Sequence, residues 1–206
     1  MLLWAGIILL VSGVVSFAFD RRAAHYFHEV VNQRWTLRIH KTTDWAKGGL
    51  WLTISLLALL VSWLARRFFG GGAVFAQLEE IALAFLAALA IGSAILHTLK
   101  LFLGRRRPRD ELELKLYGFM PWRFDFQYDS FPSGHALTIT CVAVVACGAI
   151  PQLAILWFAI AFYLALTRAA LTAHYLSDVF IGAAIGMIVT RETILLWFPH
   201  LMQSWF

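Results

Sequence analysis

Apolar runs of about 20 residues, the length that crosses a lipid bilayer, recur along this chain and decide its structural class. Of its 206 residues, 61% are hydrophobic and 14% are charged. A soluble domain of this size could not bury so much apolar surface. The sequence therefore predicts an all-α fold, a polytopic membrane protein.

Polar breaks between the runs predict six transmembrane helices within a single domain, residues 1–206. The expected spans are residues 2–19, 47–65, 78–103, 132–149, 152–168 and 174–197. Six spans place both termini on one side of the membrane. They place the loops 20–46, 104–131 and 168–174 together on the other side.

The segment 23–46 is polar and aromatic rather than uniformly apolar. Its apolar positions 26, 27, 30 and 31 fall on one helical face. This predicts a short amphipathic helix at the membrane interface after the first span. We interpret His25, His28 and His40 in this segment as surface residues rather than metal ligands.

Polar and small residues inside the apolar runs have structural interpretations. His97 is expected to be an interior histidine with satisfied hydrogen bonds. Cys141 and Cys147 are six residues apart on one helix, so they face different directions and are predicted to stay unpaired. Gly182 and Gly186 form the small-residue spacing that lets membrane helices pack closely.

The charge distribution argues against a nucleic-acid partner. The formal net charge is +5, but the cations sit in the polar breaks and no basic soluble domain is present. Loop 104–131 mixes cations with aromatic residues, including Arg123, Phe124 and Phe126, as membrane interfaces do. The expected partners are membrane lipids, and the oligomeric state is left open.

A short motif, Phe131-Pro-Ser-Gly-His135, stands between this loop and the fourth apolar run. Pro132 suits the first turn of a helix, where a missing N–H costs nothing. Ser133 and Gly134 then offer backbone donors to an anion at the helix N-terminus. His135, in the same turn, can hold or deliver a proton near neutral pH.

Cations from two other stretches meet this motif on the same predicted side. Lys100, Arg107 and Arg168 suit a phosphate group, since arginine binds two phosphate oxygens at once. Pro108 disfavours helix at Arg107 and so directs that side chain away from the run. Arg105 and Arg106 lie within the same basic run, and replacing either with alanine is expected to have a mild effect.

His174 and Asp178 complete the predicted chemistry. At positions i and i+4 they would share a helix face, where Asp178 accepts one ring N–H and leaves the other nitrogen free to attack phosphorus. His135 then becomes the candidate acid for the leaving group. The sequence has no ligand spacing typical of a metal site, and we expect no cofactor.

These three stretches resemble the type 2 phosphatidic acid phosphatase family (PAP2). The family pattern is Lys-x6-Arg-Pro, then Pro-Ser-Gly-His, then Ser-Arg-x5-His-x3-Asp. The first two match at 100–108 and 132–135, and the third departs only at Thr167, which keeps the hydroxyl of the usual Ser. The resemblance covers roughly residues 80–195, with the motifs in order.

The resemblance implies a metal-independent hydrolase of lipid phosphates or diphosphates. It implies His174 as nucleophile, Asp178 as its orienting partner and His135 as general acid. The implied phosphate-binding residues are Lys100, Arg107, Ser133, Gly134 and Arg168. Implied substrates are undecaprenyl diphosphate, phosphatidylglycerophosphate, phosphatidic acid or lipid A, among which the motifs do not choose.

Two other functions use the same anion site. A phosphotransferase would pass the phosphoryl group to a lipid acceptor with identical residues. A non-enzymatic lipid binder or transporter would need the cations but not His174 and Asp178, so their presence argues against it.

Membrane orientation gives two opposing expectations. The side of the membrane that carries the three motifs holds 14 of the 17 lysines and arginines. By the positive-inside rule, this side would face the cytoplasm. The family resemblance implies a bacterial inner membrane protein with its active site facing the periplasm. We favour the periplasmic orientation, because the motif match is the more specific observation.

Overall fold

The computed structural model describes residues 1–31, 33–122, 128–202 and 206, and this part of the chain is helical with no β-strand. The helices are α1 (Leu2–Ser16), α2 (Asp20–Val30), α3 (Gln33–Thr43), α4 (Gly48–Phe69), α5 (Ala73–Leu103), α6 (Pro108–Leu114), α7 (Gly134–Ala149), α8 (Ala154–Ala170) and α9 (Leu176–Trp197). The all-α membrane class predicted from the sequence is confirmed.

Four helical segments of the described chain are long and apolar enough to cross a bilayer. They are Trp35–Phe69, Ala73–Leu103, Pro151–Ala170 and Leu176–Trp197. Helices α1 and α2 pass the same test as a pair bent by 87°. Helix α7 is apolar but has only 16 residues, fewer than the roughly 20 that a span needs, so six spans stay a prediction.

The polar segment after α1 forms two helices instead of the single amphipathic helix that the sequence predicts. Asp20, expected to end the first span, begins α2 and is buried. The buried face of α2 carries Asp20 and Ala24, one turn apart, whereas Tyr26 and Val30 are exposed. Tyr26 and Val30 thus point away from the protein, as an interfacial helix requires, whereas Phe27 of the same predicted face packs against the core.

Helix α7 forms the centre of the bundle, packed against α5, α8 and α9. It touches α9 most closely where the sequence predicts small-residue packing. A Cβ added at Gly186 would lie 2.6 Å from the carbonyl oxygen of Leu137, and one at Gly182 would lie 2.3 Å from that of Ser133. Backbone contact between the two helices therefore depends on these glycines.

The loop between α5 and α7 is ordered by its own short elements. Pro108 occupies the first position of α6, where proline needs no N–H partner. Single β-bridges join Arg105 to Phe119 and to Asp129. The predicted interface residues Arg123, Phe124 and Phe126 lie outside the described residues.

The predicted environments of the histidines and cysteines outside the motifs are confirmed except for His97. His25, His28 and His40 are exposed, as predicted, and the two cysteines are buried and unpaired. The prediction for His97 is wrong, because this side chain is exposed on α5 rather than enclosed in the interior.

Candidate active site

A cavity of about 430 Å³ lies where the three motif stretches meet. Its polar lining consists of Ser93, His97, Lys100, Arg107, Asp129, His135, Thr138, Arg168 and His174. Its remaining lining consists of Gly48, Leu52, Leu89, Leu96, Gly134 and Leu137. The cavity thus joins a cationic region to an apolar wall formed by α4, α5 and α7.

The three predicted phosphate-binding cations come from different elements. Lys100 stands in the last turn of α5, Arg107 immediately precedes α6, and Arg168 stands in the last turn of α8. Arg107 has an extended backbone (φ −81°, ψ 156°), as its position before Pro108 predicts. The Nε of Arg168 is buried without a hydrogen-bond partner among the described atoms, so this donor is free for a bound anion.

Asp129, which the sequence analysis did not single out, contacts two of these cations. Its Oδ1 accepts from Arg107 Nε at 2.9 Å and Nη2 at 2.6 Å, and its Oδ2 lies 3.8 Å from Lys100 Nζ. Burial opposes ionisation, but the charges of Lys100 and Arg107 prevail and lower the pKa of Asp129 below its ordinary value. Asp129 is therefore a carboxylate at neutral pH.

Helix α7 begins two residues later than predicted, at Gly134 rather than Pro132. Ser133 is the N-cap, with its hydroxyl accepting from Ala136 N at 3.5 Å, so Pro132 precedes the cap instead of occupying the first turn. The Ser133 N–H donates to the carbonyl oxygen of Asp178 at 3.0 Å. Ser133 is buried and does not line the cavity, whereas Gly134 and His135 do.

His174 lies in the turn before α9 and not on the helix, so the predicted shared helix face is wrong. Its Nδ1 is 2.7 Å from the carbonyl oxygen of Ser130. A carbonyl can only accept, so Nδ1 carries the proton and Nε2 keeps its lone pair. Burial lowers the pKa of His174 from its ordinary 6.5, although Asp178 acts in the opposite direction, and the neutral form is favoured.

Asp178 contacts His174 indirectly, through Ser130. The distance from its Oδ2 to His174 Nδ1 is 3.8 Å, which is too long for the predicted hydrogen bond. That oxygen instead accepts from the Ser130 hydroxyl at 2.6 Å and from the Tyr175 N–H at 2.9 Å. Ser130 therefore links the carboxylate to the histidine, with its side chain on one and its carbonyl on the other.

Arg105, whose replacement the sequence predicts to be mild, is completely buried behind Asp178. Its Nη1 donates to Asp178 Oδ1 and, at 2.7 Å, to the Ser177 hydroxyl, while its Nη2 donates to Asp20 Oδ2 at 2.7 Å. Four aromatic rings surround the guanidinium carbon at 4.3–5.5 Å, those of Phe17, Tyr117, Phe119 and Tyr175. This enclosure makes Arg105 a structural partner of the site.

Asp20, the first residue of α2, extends this network to the segment after α1. It accepts from Ser177 N at 3.0 Å, from the Ser177 hydroxyl and from Arg105. Sequence reasoning missed both Asp20 and Arg105, because a charge that ends an apolar run and one within a basic run each have ordinary interfacial explanations. The different roles of Arg105 and its neighbour Arg106 become visible only from their packing in the structure.

The sequence profile of the PAP2 superfamily matches residues 81–201, which include all three motif stretches and more than half of the chain. The chain belongs to the PAP2 superfamily.

Two curated proteins are similar over part of the chain. Each is a lipid A 1-phosphatase, one from Rhizobium etli and one from Rhizobium johnstonii, and each is 33% identical over 104 residues. Those residues are 50% of this PAP2 chain but only 45% and 43% of the two relatives. The match thus spans less than half the length of either protein.

Two solved structures share the fold. A PAP2-type phosphatidylglycerolphosphate phosphatase from Bacillus subtilis aligns with a TM-score of 0.62 and 16% identity, covering 100% of this chain and 97% of that one. LpxE from Aquifex aeolicus aligns with a TM-score of 0.58 and 16% identity, covering 86% and 95%. At this identity the likeness shows a common fold.

The one departure from the PAP2 pattern has a structural role in this chain. The Thr167 hydroxyl donates to the carbonyl oxygen of Leu164 at 2.5 Å and lies 2.9 Å from Thr43 Oγ1. Thr43 Oγ1 also lies 3.5 Å from Arg168 Nη1. Thr167 thus fixes the end of α8, from which Arg168 reaches the cavity.

Proposed function

We propose that this chain is a lipid phosphatase that hydrolyses a phosphate monoester or diphosphate carried by a membrane lipid. The observation that supports this most directly is the cavity, which joins three cations and the two motif histidines, His135 and His174, to a leucine-lined wall. The cationic region suits the phosphate of a lipid, and the leucine-lined wall suits its acyl or prenyl chain. The names of the similar proteins agree with this substrate class.

The proposed reaction has two steps. The Nε2 of His174 attacks phosphorus, forming a P–N bond while the P–O bond to the lipid breaks, and His135 gives its proton to the leaving oxygen. Water then attacks the phosphorus of the phosphohistidine, and the P–N bond breaks and returns its electron pair to His174 Nε2; His135 accepts the proton of the water, and inorganic phosphate leaves. Lys100, Arg107, Arg168 and the N-terminal donors of α7 stabilise the charge on the phosphoryl oxygens in both steps.

Phosphate release from a panel of lipids tests this proposal. The purified chain would be assayed in detergent with phosphatidic acid, phosphatidylglycerophosphate, undecaprenyl diphosphate and lipid A. We expect inorganic phosphate from at least one lipid, and none with His174→Ala. Near-wild-type turnover by that folded variant would contradict the mechanism, and transfer of phosphate to a lipid acceptor without release would identify a phosphotransferase.

We further propose a bacterial inner membrane location with the cavity facing the periplasm. A cysteine at Leu116, an exposed position beside α6, reports the side of the membrane. Cys141 and Cys147 would first be replaced. We expect an impermeant thiol reagent to label Leu116→Cys in intact spheroplasts, whereas labelling only after lysis would place the site in the cytoplasm.

A further inference from the structure

The carboxylate of Asp129 occupies the place where a phosphate would meet Lys100 and Arg107. Arg107 directs two donors, Nε and Nη2, onto Asp129 Oδ1. Those two donors form the fork that arginine uses for carboxylate and phosphate alike. The cavity thus contains an anion of the protein itself, paired with two of its three cations.

Backbone contacts fix the position of Asp129. Arg105 N donates to the Tyr128 carbonyl at 2.7 Å, and Ser130 N donates to the Arg105 carbonyl at 3.1 Å. Lys100 Nζ also donates to the carbonyl oxygen of Asp129 itself. The fold therefore presents this side chain to the cations, while its 30% exposure leaves room for it to rotate away.

A phosphate and the Asp129 carboxylate cannot both use the Arg107 fork. If both stayed near the cations, two anions would also repel each other in a half-buried site, where charges interact more strongly than in water. Substrate binding must then break the Arg107–Asp129 pair.

We propose that Asp129 is an internal competitor for the phosphate subsite, displaced when a phosphate binds and returning when the phosphate leaves. This role sets how tightly the site holds phosphate, and it rests on the proposed assignment of Lys100 and Arg107 to that subsite. It differs from an orienting role, in which Asp129 holds the two cations in position for the substrate. When the charge of Asp129 is removed, the competitor role predicts tighter phosphate binding and the orienting role predicts weaker phosphate binding.

Inorganic phosphate is the probe that separates these roles. The full-length protein in detergent would be compared with Asp129→Asn, which keeps the shape of the side chain and removes its charge. Glu113→Gln is the matched control, since Glu113 is an exposed carboxylate of the same loop region. Asp129→Ser, a smaller polar replacement, serves if the asparagine variant does not fold.

Two measurements are made, the inhibition constant of phosphate during lipid hydrolysis and the phosphate concentration that half-maximally raises the Tm. We expect both to fall by about tenfold or more in Asp129→Asn, as removal of a repelling charge worth at least 1.4 kcal/mol implies, and to stay unchanged in Glu113→Gln. Unchanged or weaker phosphate binding in Asp129→Asn would overturn the proposal.

The thermal measurement needs no turnover, so it separates the two proposals. If no lipid is hydrolysed but phosphate binds more tightly to Asp129→Asn, the competitor role stands and the phosphatase assignment fails. If lipids are hydrolysed and the variant binds phosphate no more tightly, the phosphatase assignment stands and the competitor role fails.

Discussion

Arg168 provides the sharpest prediction for a single residue, because its buried Nε has no partner among the described atoms. Arg168→Lys should lower kcat/KM on the order of 100-fold, since a point charge cannot replace a two-pronged contact that stabilises the transition state. Arg109→Ala is the control, because that side chain is largely exposed. Equal sensitivity of Arg109 and Arg168 would mean that the cations act only as bulk charge.

Arg105 and Arg106 should respond very differently although they are neighbours. Arg105→Ala leaves Asp20 and Asp178 buried without their cation, and breaking a buried pair costs about 3–5 kcal/mol. We expect loss of phosphate release and a clearly lowered Tm. Arg106→Ala should change both little, since its guanidinium stacks on Tyr128 at 4.9 Å and makes no ion pair within the described residues.

The rate should depend on pH through His174. Burial lowers the pKa of His174 from 6.5, so the neutral, nucleophilic form persists as the pH falls past 6.5 and is lost only below that value. We expect the acidic limb of kcat/KM to lie below pH 6.5 after correction for the separately measured ionisation of the substrate. A limb at or above 6.5 would mean that His174 is not the titrating nucleophile.

The motif residues predicted a cationic site with histidines, but the hydrogen-bond partners of each side chain were not predictable. The sequence placed Lys100, Arg107 and Arg168 together, because each ends or follows a predicted helix on the same side of the membrane. All three line one cavity in the structure. Nothing in the sequence indicated that Ser130 would stand between His174 and Asp178. That link depends on the path of a loop, which no helical periodicity describes.

At the scale of helices, contact between α7 and α9 should control the geometry of the site. Gly186→Ala would press a methyl group to 2.6 Å from a carbonyl oxygen of α7, and overpacking of this kind costs about 1–3 kcal/mol. We expect lower Tm and lower kcat. Gly49→Ala, at a helical glycine with open space around it, should leave both unchanged, and equal effects of the two changes would refute this role of the contact.

Helix positions were predicted better than helix ends. The apolar runs located α4, α5, α8 and α9, whereas α7 and α9 each begin two residues later than expected. Those two residues matter for α9, because they leave His174 in a turn. The division of the interfacial segment into α2 and α3 was also missed, since the buried side of α2 consists of a carboxylate and a small residue, Asp20 and Ala24.

For the whole molecule, we expect activity to survive removal of divalent metals. Three basic side chains at the cavity can neutralise a phosphate in the place of a metal ion. Phosphate release would be measured after extensive treatment with EDTA, alongside an untreated sample. Loss of activity that Mg²⁺ or Zn²⁺ restores would contradict this prediction.

The membrane class and the family were predictable from the entire sequence, whereas the number of spans was not settled by it. Hydropathy finds apolar segments, but it does not tell a short central helix enclosed by others from one that crosses the bilayer alone. Helix α7 combines an apolar sequence with a length of 16 residues. Its neighbours, and not its own composition, determine its environment.

The buried bond between Asp20 and Ser177 has a consequence for gene fragments and truncated homologues. The family match starts at residue 81, so a chain beginning there would retain every motif residue. It would nevertheless lack the acceptor for the backbone N–H and hydroxyl of Ser177 and for one nitrogen of Arg105, at a cost of about 1–3 kcal/mol for each buried donor left unpaired. A fragment or homologue with complete motifs would therefore keep this buried network only if it also had an acceptor equivalent to Asp20, the first residue of α2.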